Sequence, residues 1–262
     1  MRAGGVREVP PVLDIIEQAD IAVLRMDHGK VNALDVELCR QLVARLEELG
    51  TSSARAVILT GQGGVFSAGV DLLRALDGGK AYLRDFLPAL RKLFDVVFFY
   101  PKPVIAAING HAIAGGCVLA CAADQRIMSR GAGRIGVTEL LVGLPFPAIA
   151  LEIMRFTAVS EYLREVLFGA GRYPAEAAAA RGLVDAVVDP EALLGAALDA
   201  AQSLASLSTA AFSLTKSQVR QPVLDSMRGY AGAFDAAVDE IWLSRQTASR
   251  IRDYVTKTFK KL

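Results

Sequence analysis

The chain of 262 residues is long enough for one large domain, or for one domain with an appendage. Hydrophobic residues make up 53% of it, and 29 lysines and arginines nearly balance 28 aspartates and glutamates. This balance argues against a nucleic-acid partner and against a broad attraction to membranes. Every apolar run is shorter than the ~18 residues of a membrane-spanning helix, and residues 1–11 lack the apolar segment of a signal peptide. We therefore expect a cytoplasmic globular protein.

The cysteines and histidines are too few for a metal centre. Cys39, Cys117 and Cys121 have no C-x-x-C spacing and are expected to be reduced, buried thiols. Cys117 and Cys121 are one helical turn apart and are able to share a helix face. The chain has only two histidines, His28 and His111, so we expect no metal site.

Hydrophobic patterning predicts strands and helices that alternate along the first two thirds of the chain. The expected elements are strands at residues 12–16, 21–26, 56–60, 104–108 and 125–129, and helices at residues 36–49, 81–99 and 115–122. Asp35 is the predicted N-cap of the first helix and Gly50 its predicted end. Residues 17–20 are predicted to form a turn, and residues 77–80 (DGGK) a flexible loop. The alternation indicates an α/β fold.

The pattern from about residue 190 to the end is helical. Apolar and long side chains recur there at helical spacing, at Ile241, Trp242, Arg245, Ala248, Ile251, Tyr254, Val255 and Phe259. Such a stripe is expected to be buried, either against another subunit or against its own domain. We therefore divide the chain into a core at residues 1–195 and a C-terminal helical region at residues 196–262.

Two glycine-containing segments each follow an apolar, β-rich run. They are residues 66–71 (FSAGVD) and residues 108–117 (INGHAIAGGC). Glycine allows the chain to turn tightly and lets a ligand approach the backbone. Two backbone N–H groups aimed at one point stabilise the oxyanion of an enolate or of a tetrahedral acyl intermediate. The two segments therefore predict chemistry on a carbonyl group.

Four motifs together resemble the crotonase superfamily, also called the enoyl-CoA hydratase/isomerase family. Besides the glycine turns, residues 27–34 (DHGKVNAL) resemble its first active-site loop, and residues 180–185 (ARGLVD) resemble its late helix-to-strand turn. Each motif is weak alone, but the four occur in the right order between about residue 12 and about residue 220. The resemblance implies a right-handed ββα spiral core with a C-terminal helical trimerisation region. It also implies a homotrimer or a dimer of trimers, and an acyl-CoA thioester substrate with no cofactor beyond the coenzyme A of that substrate.

The resemblance also assigns the catalytic groups. The oxyanion donors would be the backbone N–H groups of Val70 and Gly115. The acid/base group would be Glu139, in the stretch IGVTE at residues 135–139. Its apolar neighbours favour the neutral carboxyl and raise its pKa. The other glutamate of a hydratase would stand at Val118, and valine cannot exchange a proton.

One carboxylate with an oxyanion hole suits the movement of a double bond. A single base removes a proton from C2 of a 3-enoyl thioester and returns it at C4, without water. The Δ3,Δ2-enoyl-CoA isomerases of the family work this way. They are similar to this chain in the Ala-Gly-Gly-Cys sequence at residues 114–117 and in a bulky stretch after the glutamate, here residues 145–149 (PFPAI).

Substrate contacts are expected in the same turns. By resemblance, the coenzyme A and thioester would contact the first active-site loop and the two turns, at His28, Lys30, Ala33, Ser67, Ala68, Gly69, Asp71, Leu72, Val118 and Thr138. Lys30 is a candidate for a CoA phosphate and equally for a solvated loop lysine. Asp71 is better explained as a helix cap than as a catalyst.

Other functions remain open at this point. A hydratase or dehydratase would need a second acid/base group from another position, and a non-catalytic acyl-CoA-binding protein would need neither. Residues 131–136 (GAGRIG) match the dinucleotide pattern G-x-G-x-x-G, but the flanking sequence does not predict the strand and helix that such a site needs. The acyl chain and the pathway are not determined by the sequence.

Overall fold

A computed structural model describes residues 13–18 and 20–259. The strands, in chain order, are β1 (Leu13–Gln18), β2 (Ile21–Met26), β3 (Ala56–Gly61), β4 (Val65–Ser67), β5 (Val104–Ile108), β6 (His111–Ile113), β7 (Gln125–Ser129), β8 (Ile135–Gly136) and β9 (Ala186–Val188). The α-helices are α1 (Val36–Thr51), α2 (Leu72–Phe98), α3 (Gly115–Cys121), α4 (Ala148–Thr157), α5 (Leu163–Phe168), α6 (Ala175–Ala180), α7 (Leu193–Ala205), α8 (Thr209–Trp242) and α9 (Arg245–Phe259). Two 3-10 helices cover Glu139–Val142 and Pro190–Ala192.

The strands form two sheets. The larger has six strands in the order β1-β2-β3-β5-β7-β9, and the smaller has three in the order β4-β6-β8. Only the β1–β2 pair is antiparallel, and the other pairs of both sheets are parallel. The pairs β3/β4, β5/β6 and β7/β8 each place one strand in the large sheet and the next in the small sheet. This repetition, with a helix after each pair, confirms the predicted α/β fold with a ββα core.

The cores lie on the two faces of the large sheet. One face packs with α1, α2 and α3 and contains the largest fully buried aromatic side chains, Phe66, Phe86, Phe94 and Phe98. The other face is covered by the small side chains of α7, which pack against β2, β3 and β5. Cys39, Cys117 and Cys121 are all buried and free, as predicted.

The C-terminal stripe packs against its own chain. Trp242 and Ile251 are buried in the main core, and Tyr254 and Val255 pack on it. Helix α9 lies against α2 and against the 3-10 helix at Glu139–Val142. Ile241 and Arg245 of the predicted stripe are exposed, so the prediction of a buried stripe holds only in part. The predicted trimerisation role and the predicted division at residue 195 stay predictions.

Three local predictions differ from the structure. Strand β1 continues through Gln18, which pairs with Ile21, so the predicted turn at residues 17–20 was too long; residue 12 lies outside the described residues. Helix α1 passes Gly50 and ends at Thr51, because the Ser52 N–H and hydroxyl both donate to the Leu49 carbonyl. Residues 77–80 form a kink inside α2 and not a loop, since only Gly79 leaves helical geometry, with φ 57° and ψ −150°.

Candidate active site

Three neighbouring strands of the small sheet end at one edge. Strands β4, β6 and β8 run parallel, so their carboxyl ends lie side by side. The segments that follow them begin at Ala68, Ala114 and Val137. Both glycine turns and the predicted catalytic glutamate are thus delivered to the same place by the sheet. Ligands commonly bind at the carboxyl ends of parallel strands.

The first turn is held by side-chain and backbone hydrogen bonds. The Ser67 hydroxyl donates to the Asn32 carbonyl oxygen at 2.7 Å and accepts from the Gly69 N–H at 3.2 Å. Leu34 donates to the Gly69 carbonyl at 2.7 Å, and Asp71 donates to the Leu34 carbonyl at 3.0 Å. Because backbone groups alternate in direction along an extended chain, the Val70 N–H points away from Leu34.

The second turn carries backbone strain. Ala114 adopts φ 51°, which is unfavourable for a residue with a side chain, directly before Gly115 opens α3. Gly116 packs so tightly that a β-carbon there would collide with the Ser67 carbonyl oxygen. This glycine therefore lets the second turn lie directly against the first.

The two turns lie in close contact with each other. Gly69 has φ +82°, and a β-carbon on it would lie 2.5 Å from the Ile113 carbonyl oxygen and 3.1 Å from the Gly115 nitrogen. Within the described part of the chain, neither the Val70 N–H nor the Gly115 N–H is occupied by a backbone hydrogen bond.

Glu139 opens the 3-10 helix that follows β8. The residue is half-buried, but its Oε2 atom is inaccessible and has no hydrogen-bond partner among the described residues. Burial raises the pKa of the Glu139 carboxyl to about 7, and the backbone N–H groups of Glu139 and Thr138 act in the opposite direction. A carboxyl with this pKa is suited to exchange protons near neutral pH.

The raised pKa predicts a stability change that depends on pH. The folded state holds the Glu139 proton more tightly than the unfolded chain, so stability is lost as the pH rises from 4.5 to about 7. A shift of this size corresponds to about 3 kcal/mol for full burial, and partial exposure reduces it to about 2 kcal/mol. We expect Glu139→Gln to raise the Tm relative to wild type at about pH 8, but hardly at about pH 4.

Thermal melts at both pH values check this prediction. The exposed Glu161 provides the control, because Glu161→Gln should leave the Tm unchanged at either pH. An equal effect of Glu139→Gln at both pH values would show that the carboxylate carries no burial cost.

A cavity of about 380 Å³ opens where these groups meet. Seven of the predicted site residues line it, namely Ala33, Ala68, Val70, Asp71, Leu72, Thr138 and Glu139. The lining also includes Val31 of the first active-site loop and Ile113 and Ala114 of the second glycine segment. The sequence analysis did not propose the remaining lining residues, namely Leu73, Val142, Leu144, Trp242, Tyr254 and Thr258. Trp242 and Tyr254 belong to the apolar C-terminal stripe. The helical spacing of that stripe is the sequence signal that could have identified them as buried residues near the site.

The other predicted site residues do not line the cavity. They are His28, Lys30, Ser67, Gly69, Gly115 and Val118. Gly69, Gly115 and Ser67 belong to the two glycine turns, and Val118 is buried within α3. Lys30 is exposed on the first active-site loop, beside Val31.

His28 belongs to a polar network that supports the first active-site loop. Its Nε2 lies 2.7 Å from Oδ2 of the buried Asp35, which also accepts from Arg74 at 2.6 Å. The hydrogen bond to Asp35 raises the pKa of His28. Asp35 caps α1 by accepting from the Leu38 N–H, as predicted. Arg74 is the member that the sequence analysis missed, since nothing in the sequence placed α2 beside this loop.

The described residues form neither a membrane-spanning helix nor a metal-binding cluster. Over residues 13–18 and 20–259, no helix is long and apolar enough to cross a membrane. The same part of the chain contains no group of three or more His, Cys, Asp or Glu side chains placed to hold a metal ion.

Comparison with known protein families identifies the family to which this chain belongs. The family model described as "Enoyl-CoA hydratase/isomerase" matches residues 16–240. The chain therefore belongs to the enoyl-CoA hydratase/isomerase family of the crotonase superfamily. The resemblance found in the four motifs is confirmed.

Individual relatives carry both activity names. A protein of Thermus thermophilus named "Putative enoyl-CoA hydratase" is 38% identical over 197 residues, which cover 72% of this chain and 75% of the relative. "Enoyl-CoA delta isomerase 1, mitochondrial" of Rattus norvegicus is 30% identical over 213 residues, which cover 80% of this chain and 74% of the relative. The crystal structure of human mitochondrial Δ3-Δ2-enoyl-CoA isomerase has a TM-score of 0.91 at 26% identity, covering 96% of this chain and 99% of that one. The relatives thus support acyl-CoA hydratase/isomerase chemistry without separating the two reactions.

Proposed function

We propose that this protein is a Δ3,Δ2-enoyl-CoA isomerase in which Glu139 alone carries the proton. The observation that supports this most directly is the state of the two carboxylates that line the cavity. Asp71 is the N-cap of α2, and its Oδ1 accepts from the Arg74 N–H at 2.9 Å. Glu139 has no such structural partner among the described residues for its Oε2. Only one of the two carboxylates is therefore free to act as a base.

The proposed reaction needs one proton and no water. The Glu139 carboxylate removes a proton from C2 of a 3-enoyl thioester, and the electron pair moves onto the thioester oxygen. The N–H groups of Val70 and Gly115 hold that oxyanion. The double bond re-forms between C2 and C3 as the protonated Glu139 returns the proton at C4. Atoms and charge balance, and the base is restored.

We propose that the coenzyme A part of the bound substrate extends out of the cavity along the first active-site loop. Val31 and Ala33 of this loop line the cavity, and Lys30 stands exposed next to Val31. A mobile ammonium group at this position is suited to a CoA phosphate. The proposal assigns no other cofactor.

A second candidate is enoyl-CoA hydratase activity, favoured by the name of the Thermus thermophilus relative. Hydration requires a second acid/base group to activate water, and Val118 cannot supply it. An assay with both substrates separates the candidates. Isomerisation converts a 3-enoyl-CoA into the conjugated 2-enoyl-CoA and raises the ultraviolet absorbance. Hydration consumes a 2-enoyl-CoA and lowers it, which would contradict the isomerase proposal.

The pKa of Glu139 sets the expected pH dependence of isomerisation. The base acts in its deprotonated form, so kcat/KM should rise with pH and level off above about pH 7. Below that pH, log kcat/KM should fall with a slope of about one, because one carboxyl takes up one proton. A rate profile between acidic and mildly alkaline pH measures this. A flat profile through neutral pH would exclude Glu139 as a base with the raised pKa.

A further inference from the structure

The active-site cavity has an exposed rim and a buried wall. Leu73, Val31 and Thr258 are exposed and form the rim. Trp242, Leu144 and Val142 are buried and form the wall. The charged coenzyme A of a substrate stays in water, whereas an apolar acyl chain gains free energy by entering the buried part. An acyl chain that binds in the cavity would therefore extend toward the buried wall, which includes Trp242.

Trp242 is part of the buried wall of the cavity. Its indole packs on Phe86 with ring centroids 6.5 Å apart and planes inclined by 62°. Phe86 is fully buried, so the space behind Trp242 is filled by the main core. The indole Nε1 has no hydrogen-bond partner among the described residues, and packing alone holds the ring. A longer acyl chain thus meets a ring that has no room to move inward.

The size of the cavity sets a limit on the substrate. A volume of about 380 Å³ holds roughly a dozen groups of about 30 Å³ each, the volume of one water molecule. We propose that Trp242 is the end wall of the acyl site and limits substrates to apolar acyl chains of roughly ten carbons or fewer. This inference rests on the proposed acyl-CoA function and specifies its substrate class.

The fluorescence of Trp242 tests the inference without turnover. It is the only tryptophan of the chain, so the emission reports this wall alone. The probes are coenzyme A, octanoyl-CoA and hexadecanoyl-CoA, which are not isomerised, with binding measured by calorimetry. Octanoyl-CoA should change the emission where coenzyme A does not, and hexadecanoyl-CoA should bind at least about tenfold more weakly than octanoyl-CoA. An unchanged emission with octanoyl-CoA bound would overturn the inference, whether or not the protein is an isomerase.

Substitutions test the length limit itself. Trp242→Ala should raise the binding of hexadecanoyl-CoA relative to octanoyl-CoA by about tenfold or more. Trp242→Phe keeps an aromatic ring on Phe86 and should give a smaller shift, which covers the case of poor folding in the alanine variant. Ile241→Ala is the matched control, because Ile241 is the preceding residue of α8, is exposed and does not line this cavity. Equal preference for the two chain lengths in wild type, or no shift in a folded Trp242 variant, would contradict the proposal.

Discussion

Glu139→Gln is expected to lower kcat for the isomerisation of a 3-enoyl-CoA by about a thousandfold or more, because Glu139 is the only free carboxylate among the described residues that line the cavity. Glutamine has nearly the same shape as glutamate, but its amide does not act as a base. The oxyanion donors and the cavity wall remain in place, so the KM should change little. The measurement is a steady-state assay of the conjugated product.

The other carboxylate of the cavity provides the control for this prediction. Asp71→Asn preserves the cap of α2, since asparagine caps helices about as well as aspartate. We expect it to reduce kcat less than about tenfold, far below the effect at Glu139. A loss of equal size in both variants would mean that the cavity uses two carboxylates.

Gly69→Ala is expected to lower kcat/KM by about a hundredfold to a thousandfold, the range found when one oxyanion donor is lost. Gly69 has φ +82°, and an added β-carbon would lie 2.5 Å from the Ile113 carbonyl oxygen. The first turn must shift to relieve this contact, and the shift moves the Val70 N–H. The added β-carbon would also push the two turns apart, so we expect the Tm of Gly69→Ala to be lower than that of the wild type.

The matched control for Gly69 lies close by in the sequence. Gly64 has no heavy atom within 4 Å of the position of an added β-carbon, so Gly64→Ala should change neither Tm nor kcat/KM substantially. Comparing kcat/KM for Gly69→Ala at a temperature where the protein is folded separates the oxyanion effect from unfolding. Full activity in a folded Gly69→Ala variant would refute the role of the first turn.

The parts of the site that were predictable are those with a local physical cause. Asp35 and Asp71 were predicted as helix caps because a carboxylate before an apolar helical pattern accepts backbone N–H bonds, and both do so. The raised pKa of Glu139 followed from its apolar neighbours in the sequence. These features depend on a few consecutive residues.

The parts that were missed depend on contacts between distant segments. Tyr254 lines the cavity because α9 packs against α2 and the Glu139 helix, and Trp242 lines it because the end of α8 packs on Phe86 of α2, although both residues are far from Glu139 in the sequence. Periodicity predicted a buried stripe that includes both residues, but not the surface against which they pack. Arg74 joins the His28–Asp35 network for the same reason. The predicted loop at residues 77–80 is instead a kink within α2, where only Gly79 departs from helical geometry.

The proposal that one glutamate moves the proton without water is tested most directly with the wild-type protein. The protein is incubated with a 3-enoyl-CoA in water labelled with heavy oxygen, and the product is identified by mass spectrometry. A single glutamate base that works without water predicts the isomeric 2-enoyl-CoA, with no change of mass and no heavy oxygen. An unchanged 3-enoyl-CoA would contradict the proposed isomerase activity, and a 3-hydroxyacyl-CoA carrying the label would show that a second group activates water in this cavity.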